Sequence, residues 1–265
     1  VNEVVLAVQF GGDVIDEVGI LNRYLPTIQD EFPKLEKQPP LPPMQEDLAH
    51  PPGPGGAQVQ FFQGPPATRY WFISADGTLL IQVQADRFIL NWRQTETKAD
   101  YPRYRNLRPA FERLFENFLT HISPEVGTPV PDLCEVTYIN HVEAAGAEPP
   151  GTHGPLSHVL RALNPKPVSA ALPPVEDTQL QQRFLIRDET GEPSGRLYLS
   201  AVPAFRAEDS VPIYVVSLVA RGKPTPQTPA GVVPFFDMGR DLIVRGFKES
   251  TTPEMHEQWR LHAGD

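Results

Sequence analysis

The chain has 265 residues, 40% of them hydrophobic and 21% charged, so it can bury a real core and does not have the composition of a disordered tail. A net charge of −10 and a pI near 5.2 disfavour a generic nucleic-acid or anionic-membrane binder, because neutralising phosphates needs a surplus of Lys and Arg. The single cysteine, Cys134, excludes an intrachain disulfide and a cysteine zinc cluster.

Reducing conditions and a cytoplasmic location are therefore expected. No apolar run approaches the roughly 18 residues of a membrane span, and the first residues do not read as a signal peptide. Thirty-one prolines are too many for helix interiors and central strands, so many must punctuate long connections.

In chain order, "EVVLAVQF" (3–10) is β-branched and apolar and predicts a strand. Residues 14–31 place Val14, Val18, Leu21, Leu25 and Ile28 at helical spacing. The proline-rich stretch from Gln38 to Gly56 has too few apolar residues to pack as an element, so it reads as an extended surface connection. A meander follows. "RYWFIS" (69–74) meets "TLLIQVQ" (78–84) through Asp76-Gly77, a dipeptide suited to a type I′ turn, and "RFILNWR" (87–93) follows Ala85-Asp86. A helix is predicted from just after 101–102 to about Ile122, with Leu107, Phe111, Leu114, Phe115, Phe118 and Ile122 on one stripe.

The second half repeats this order. "EVTYINHV" (135–142) stands where "EVVLAVQF" stood, and a short helix is expected near "PLSHVLRAL". "RFLIR" (183–187), "GRLYLSAVPAF" and "PIYVVSLVARG" supply three strands, and "FFDMGRDLIVRGF" a helix with Phe236, Ile243 and Phe247 on its core side. The expected fold is α+β: two pseudo-symmetric β-α-β-β-β-α halves, 1–130 (with 38–67 as its proline-rich connection) and 131–265. They would form one compact unit, with one antiparallel sheet or two abutting ones and helices packed on one face. An internal duplication is the expected origin.

Two-residue turns would set the register of the meander. One face then carries Tyr70, Phe72, Leu79, Ile81, Val83, Phe88, Leu90 and Trp92, a core face. The other carries Arg69, Trp71, Ile73, Leu80, Gln82, Gln84, Arg87, Ile89, Asn91 and Arg93. Amide and guanidinium groups among a tryptophan and aliphatics suit a contact surface or a partly enclosed pocket. The competing account is that these arginines pair with acids of the same chain.

Seven basic residues, Arg87, Arg93, Lys98, Arg103, Arg105, Arg108 and Arg113, also lie between positions 87 and 113, a local reversal of the overall charge. The candidate binding residues are therefore Arg69, Trp71, Gln82, Gln84, Arg87, Asn91, Arg93 and Arg103, facing an anionic ligand or an acidic partner. A solvated helix face is the plainer account of the basic run.

No phosphate loop, nucleophile elbow or HExxH pair occurs, a metal site at His153 and His158 is disfavoured, and Cys134 reads as packing. One of Asn140 and His141 should face inward. Nothing here argues for catalysis, and no cofactor or metal is implied.

The chain resembles a family of sporadically distributed, uncharacterised prokaryotic proteins of about this length. The likeness rests on the "EVVLAVQF" strand, "Q-x-D-R-F-x-x-N-W-R" (Gln84 to Arg93) with "Y-P-x-Y" (Tyr101 to Tyr104), "YIN" (Tyr138 to Asn140) and "T-x-E-x-H-x-x-W" (Thr252 to Trp259). It covers nearly the whole chain, with 38–56 and 143–181 matching least. It implies no activity or cofactor, only the patchy distribution of accessory genes of the defence or toxin–antitoxin kind. The first functional expectation is a non-catalytic interaction protein with a protein partner or self-association. The alternative is an anion binder or enzyme that uses a sheet–helix cavity. Nucleic acid is the least favoured partner, and no membrane contact is expected.

Overall fold

The structure, a computed structural model, describes residues 1–49, 68–95, 100–122, 127–144, 152–163, 175 and 177–259. Its centre is one antiparallel sheet of nine strands: β1 (Glu3–Phe10), β2 (Lys34–Gln38), β3 (Arg69–Ile73), β4 (Leu79–Gln84), β5 (Arg87–Arg93), β6 (Pro131–Val142), β7 (Leu180–Arg187), β8 (Pro193–Phe205) and β9 (Pro212–Gly222). Their spatial order is β2-β3-β4-β5-β1-β6-β9-β8-β7. Outward from the central β1–β6 pair, each side meets the third, second and first strand of its own meander. The topology is thus pseudo-twofold, with β2 added at one edge. The fold is α+β with a single sheet.

Loop length sets the meander register as expected. Val83 faces Phe88, Ile81 faces Leu90 and Leu79 faces Trp92, while Tyr70 lies beside Val83 and Phe72 beside Ile81. The Asp76-Gly77 turn is not type I′, which needs positive φ at both central residues. Only Gly77 has one, at 74°. The Asp76 carboxylate instead accepts hydrogen bonds from the Ser74 and Thr78 hydroxyls at 2.7 and 2.9 Å.

Two helices cover one sheet face, α2 (Tyr104–Ile122) and α3 (Pro229–Ser250). The predicted stripe of α2 is buried, and Phe118 packs 4.8 Å from the Phe88 ring. Phe111 meets Phe236 of α3 at the same centroid distance, which joins the helices. A Cβ at Gly239 would lie 3.1 Å from Ala220 Cβ and 3.3 Å from Val136, so a glycine there lets α3 lie close on β6 and β9. One hydrophobic core runs from Val4 to Met255 through both halves. Cys134 is part of it, and burial raises its thiol pKa, as a packing role requires.

Three elements differ from expectation. The helix predicted over 14–31 is shorter, a π-helical stretch Gly19–Tyr24 running into α1 (Leu25–Ile28). The Val14 and Ile15 amides bond Ala85 O at 2.9 and 3.0 Å, tying that end to the β4–β5 turn. Strand β2, "KLEKQ", was not foreseen: an edge strand with no buried side needs no apolar alternation, and even Leu35 is exposed. The helix expected near 155–163 is one 3-10 turn, Leu156–His158. A final short helix, α4 (Pro253–Gln258), is capped by the Thr252 hydroxyl. No helix among the described residues is long and apolar enough to cross a membrane.

Candidate functional site

Seven of the eight candidate residues, all but Arg103, lie together on the sheet face away from the helices, as the register predicted. They are engaged with one another and with the proline-rich segment. Arg69 Nη1 and Trp71 Nε1 donate to Gln82 Oε1 at 2.8 and 2.9 Å, and Gln82 Nε2 donates to Asn91 Oδ1 at 2.8 Å. Asn91 Nδ2 continues the chain to Glu3 Oε1 at 2.6 Å. Arg93 donates to Gly77 O at 3.1 Å, with its guanidinium 5.9 Å from the Trp71 ring centre.

Arg87 is 3% exposed. It makes a two-point pair with Asp86 at 2.9 and 2.8 Å and also donates to Gln9 Oε1 and Pro42 O. A guanidinium so buried, with Nε and Nη2 engaged, is poorly placed to meet a ligand from solvent. Of the two accounts weighed for these arginines, the intramolecular one describes Arg87.

The extended connection expected from Gln38 is held as a strap across this face from Leu41 to Glu46; 50–67 lie outside the described residues. The Gln84 side chain accepts from Leu41 N at 2.8 Å and donates to Leu41 O at 3.1 Å. Gln9 does the same with Met44, at 2.6 and 3.0 Å. Pro39, Pro40, Pro42 and Pro43 favour the polyproline helix, which has no internal hydrogen bonds and three residues per turn. Its backbone must therefore find outside partners, and equivalent positions recur every third residue. Three residues of that helix span about 9 Å, close to the roughly 9.6 Å of two strand spacings from β4 to β1. Two glutamines on those strands thus catch backbone positions three residues apart, Leu41 and Met44.

Beyond them Glu46, with a side chain only 1% exposed, pairs with Arg196 and accepts from the Tyr198 hydroxyl at 2.7 Å, both on β8. Arg196 and Arg221 are direct cross-strand neighbours, and Arg221 has its own acid, Glu135, at 2.6 Å.

Arg103 lies elsewhere. It lines a cavity of about 650 Å³ between the start of α2, the second half of α3 and the middle of β6 and β9. Arg103, Arg105, Arg240 and Lys248 supply four cations; Leu218, Ile243, Val244 and Phe247 supply an apolar wall. Tyr101, Tyr104, Tyr138 and Asn140 complete the polar side. Of Asn140 and His141, it is therefore Asn140 that faces inward.

The Tyr101 and Tyr138 hydroxyls lie 2.9 Å apart. Burial raises the pKa of both phenols, and the neighbouring Tyr138 adds to the effect at Tyr101, so both are neutral hydrogen-bonding groups. The nearby acids are occupied: Asp237 accepts from Tyr104 at 2.7 Å and Arg108 at 3.0 Å, and Asp241 accepts from Arg240 at 2.9 Å. Arg240 Nε is buried without a hydrogen-bond partner. Arg103 has φ of 68°, a left-handed conformation costly for a residue with a Cβ and one that recurs at ligand sites.

Among the described residues, no carboxylate, imidazole or thiol lines this cavity. It can bind and orient, and apart from the Val1 amino group, whose pKa burial lowers, its described lining lacks the usual groups that titrate near neutral pH. Nor is there a cluster of three or more His, Cys, Asp or Glu suited to a metal among the described residues. His153 hydrogen-bonds Ala204 O at 2.9 Å and packs on Phe205 and Tyr214.

The basic run between 87 and 113 is not one patch. Arg108 and Arg113 pair with Asp237 and Glu31, Arg87 and Arg93 belong to the sheet face, and Lys98 lies outside the described residues. Only Arg103 and Arg105 reach the cavity. No family model matches the chain, and no curated protein or solved structure matches it.

Proposed function

We propose that this protein binds a small anionic ligand with an apolar or aromatic part, in the cavity between α2 and α3. One observation carries the reading: four cationic residues line a concave space of about 650 Å³ whose described lining holds no acid. That volume lies within the roughly 300–1,000 Å³ typical of small-molecule sites. Guanidinium groups favour carboxylate or phosphate oxygens, the tyrosine hydroxyls and Asn140 give orientation, and Phe247 with Ile243 takes the apolar part. The reading as an interaction or accessory protein draws support from exposed apolar residues at the far edge of the sheet.

The test is thermal unfolding with millimolar inorganic phosphate, a nucleoside monophosphate, a nucleoside triphosphate and an aromatic carboxylate. At least one should raise Tm by several degrees, the size expected near a hundredfold excess over Kd. The Arg105→Ala/Lys248→Ala double variant should lose at least tenfold in affinity while folding normally. If none of the four probes shifts Tm, or the double variant responds as the parent does, the reading fails.

A further inference from the structure

We propose that β7 is a self-association edge, along which a second copy of this chain pairs antiparallel about Phe184. A sheet edge presents unpaired backbone donors and acceptors, and folded proteins ordinarily guard it with charge, proline or a bulge. The two edges here differ. Strand β2 reads "KLEKQ", exposes Lys34, Glu36 and Lys37, and runs into Pro39-Pro40. Strand β7 reads "LQQRFLIR", contains no acid and no proline, and exposes Phe184 at 46% and Leu185 at 42%.

The exposure follows from the fold. Phe184 pairs with Leu197 on the helix face, but α3 lies over β6 and β9, and among the described residues no helix covers the outermost strand. Leu185 is on the opposite face beside Arg196.

The sequence of β7 selects the occupant. A twofold antiparallel pair must set its axis at a residue, so that each residue faces one of like parity, and the longest overlaps are centred on Arg183 or Phe184. Centring on Arg183 opposes two arginines, and centring on Leu185 opposes Arg183 to Arg187; like charges directly opposite are destabilising. Centring on Phe184 stacks Phe184 on its copy and sets Gln182 against Ile186 on the same face. On the other face Arg183 lies against Leu185 and Gln181 against Arg187. That register has no like-charge pair and joins the exposed apolar residues of both copies. The result is one continuous sheet through two molecules, an isologous contact that closes on itself.

Light scattering and sedimentation of the full chain from about 1 to 100 µM should show twice the 29.5 kDa mass at the upper end. Phe184→Lys should shift dissociation at least tenfold toward monomer, with an unchanged Tm at about 1 µM where the parent is also monomeric, since it removes an exposed side chain. Register is read from Phe184→Cys and Gln182→Cys under a mild copper oxidant, where the buried Cys134 does not interfere. Phe184→Cys should form an intermolecular disulfide and Gln182→Cys should not, because only the first puts the two Cα atoms within bonding reach. A parent chain that stays monomeric at 100 µM overturns the proposal. So does a dimer that Phe184→Lys leaves intact, or cross-linking at 182 in place of 184. Anion binding in the cavity is unaffected by either result, so the two readings fail separately.

Discussion

Arg87 and Arg240 are the same side chain in opposite circumstances. Arg87 is enclosed and satisfied by Asp86, Gln9 and Pro42, while Arg240 borders a concave space with one nitrogen buried and unpartnered. Both faces of the sheet therefore carry cations, and charge alone does not mark a ligand site. On the strapped face Arg87 holds the chain together; in the cavity Arg240, though paired with Asp241, keeps its Nε without a partner beside open space.

The largest effect that would break this contrast is at Arg87. Replacing it by Ala leaves the Asp86 carboxylate without its ion-pair partner beneath the strap, so chemical denaturation should show a loss of about 3–5 kcal/mol, as for a broken buried pair. A loss below about 1 kcal/mol would mean that the strapped face is not structural. Next comes Glu46→Gln, which weakens the contact to Arg196 and Tyr198; a loss of about 1–3 kcal/mol is expected by the same measurement.

On the cavity side the sign should reverse. Arg103→Gly relieves a left-handed backbone and should raise stability by up to about 1 kcal/mol while lowering anion affinity. A variant that is both less stable and equally tight would place Arg103 with Arg87.

The smallest effect sharpens the turn. The Ser74 hydroxyl, with the Thr78 amide and hydroxyl, holds the Asp76 carboxyl pKa below its ordinary value. A depressed acid adds stability above the ordinary carboxylate range and loses it as pH falls through the lowered value. Asp76→Asn should therefore lower stability slightly at neutral pH, leave it unchanged at acid pH where the parent carboxyl is protonated, and so flatten the acid limb of a stability–pH profile.

The meander was legible because its information is local. Two short turns and strict alternation from Arg69 to Arg93 define which side chains share a face, and the α2 stripe declares its own buried side. Strand β2 was not legible, since its side chains are all solvated or half-solvated. The strap was half legible. Four prolines announce an extended chain, but its docking depends on Gln9 and Gln84 meeting Met44 and Leu41. The available signal was two glutamines on the polar side of core strands, each needing partners once buried.

The cavity was least visible. Its walls come from 101–105, 138–140 and 240–248, segments that only the finished sheet brings together. Arg103 was found through the basic run; Tyr138 stood in the sequence only as part of the "YIN" motif, and Asn140 only as one of two residues of which one should face inward. Arg240 and Lys248 had no signal beyond ordinary helix charge.

The clasp of Glu46 on Arg196 joins positions 150 apart in the chain and spans both halves. A contact with so long an intervening loop forms after the local meanders have closed. Loosening it should accelerate unfolding and leave the refolding rate nearly untouched, so this one carboxylate acts on the lifetime of the native molecule more than on the speed of reaching it.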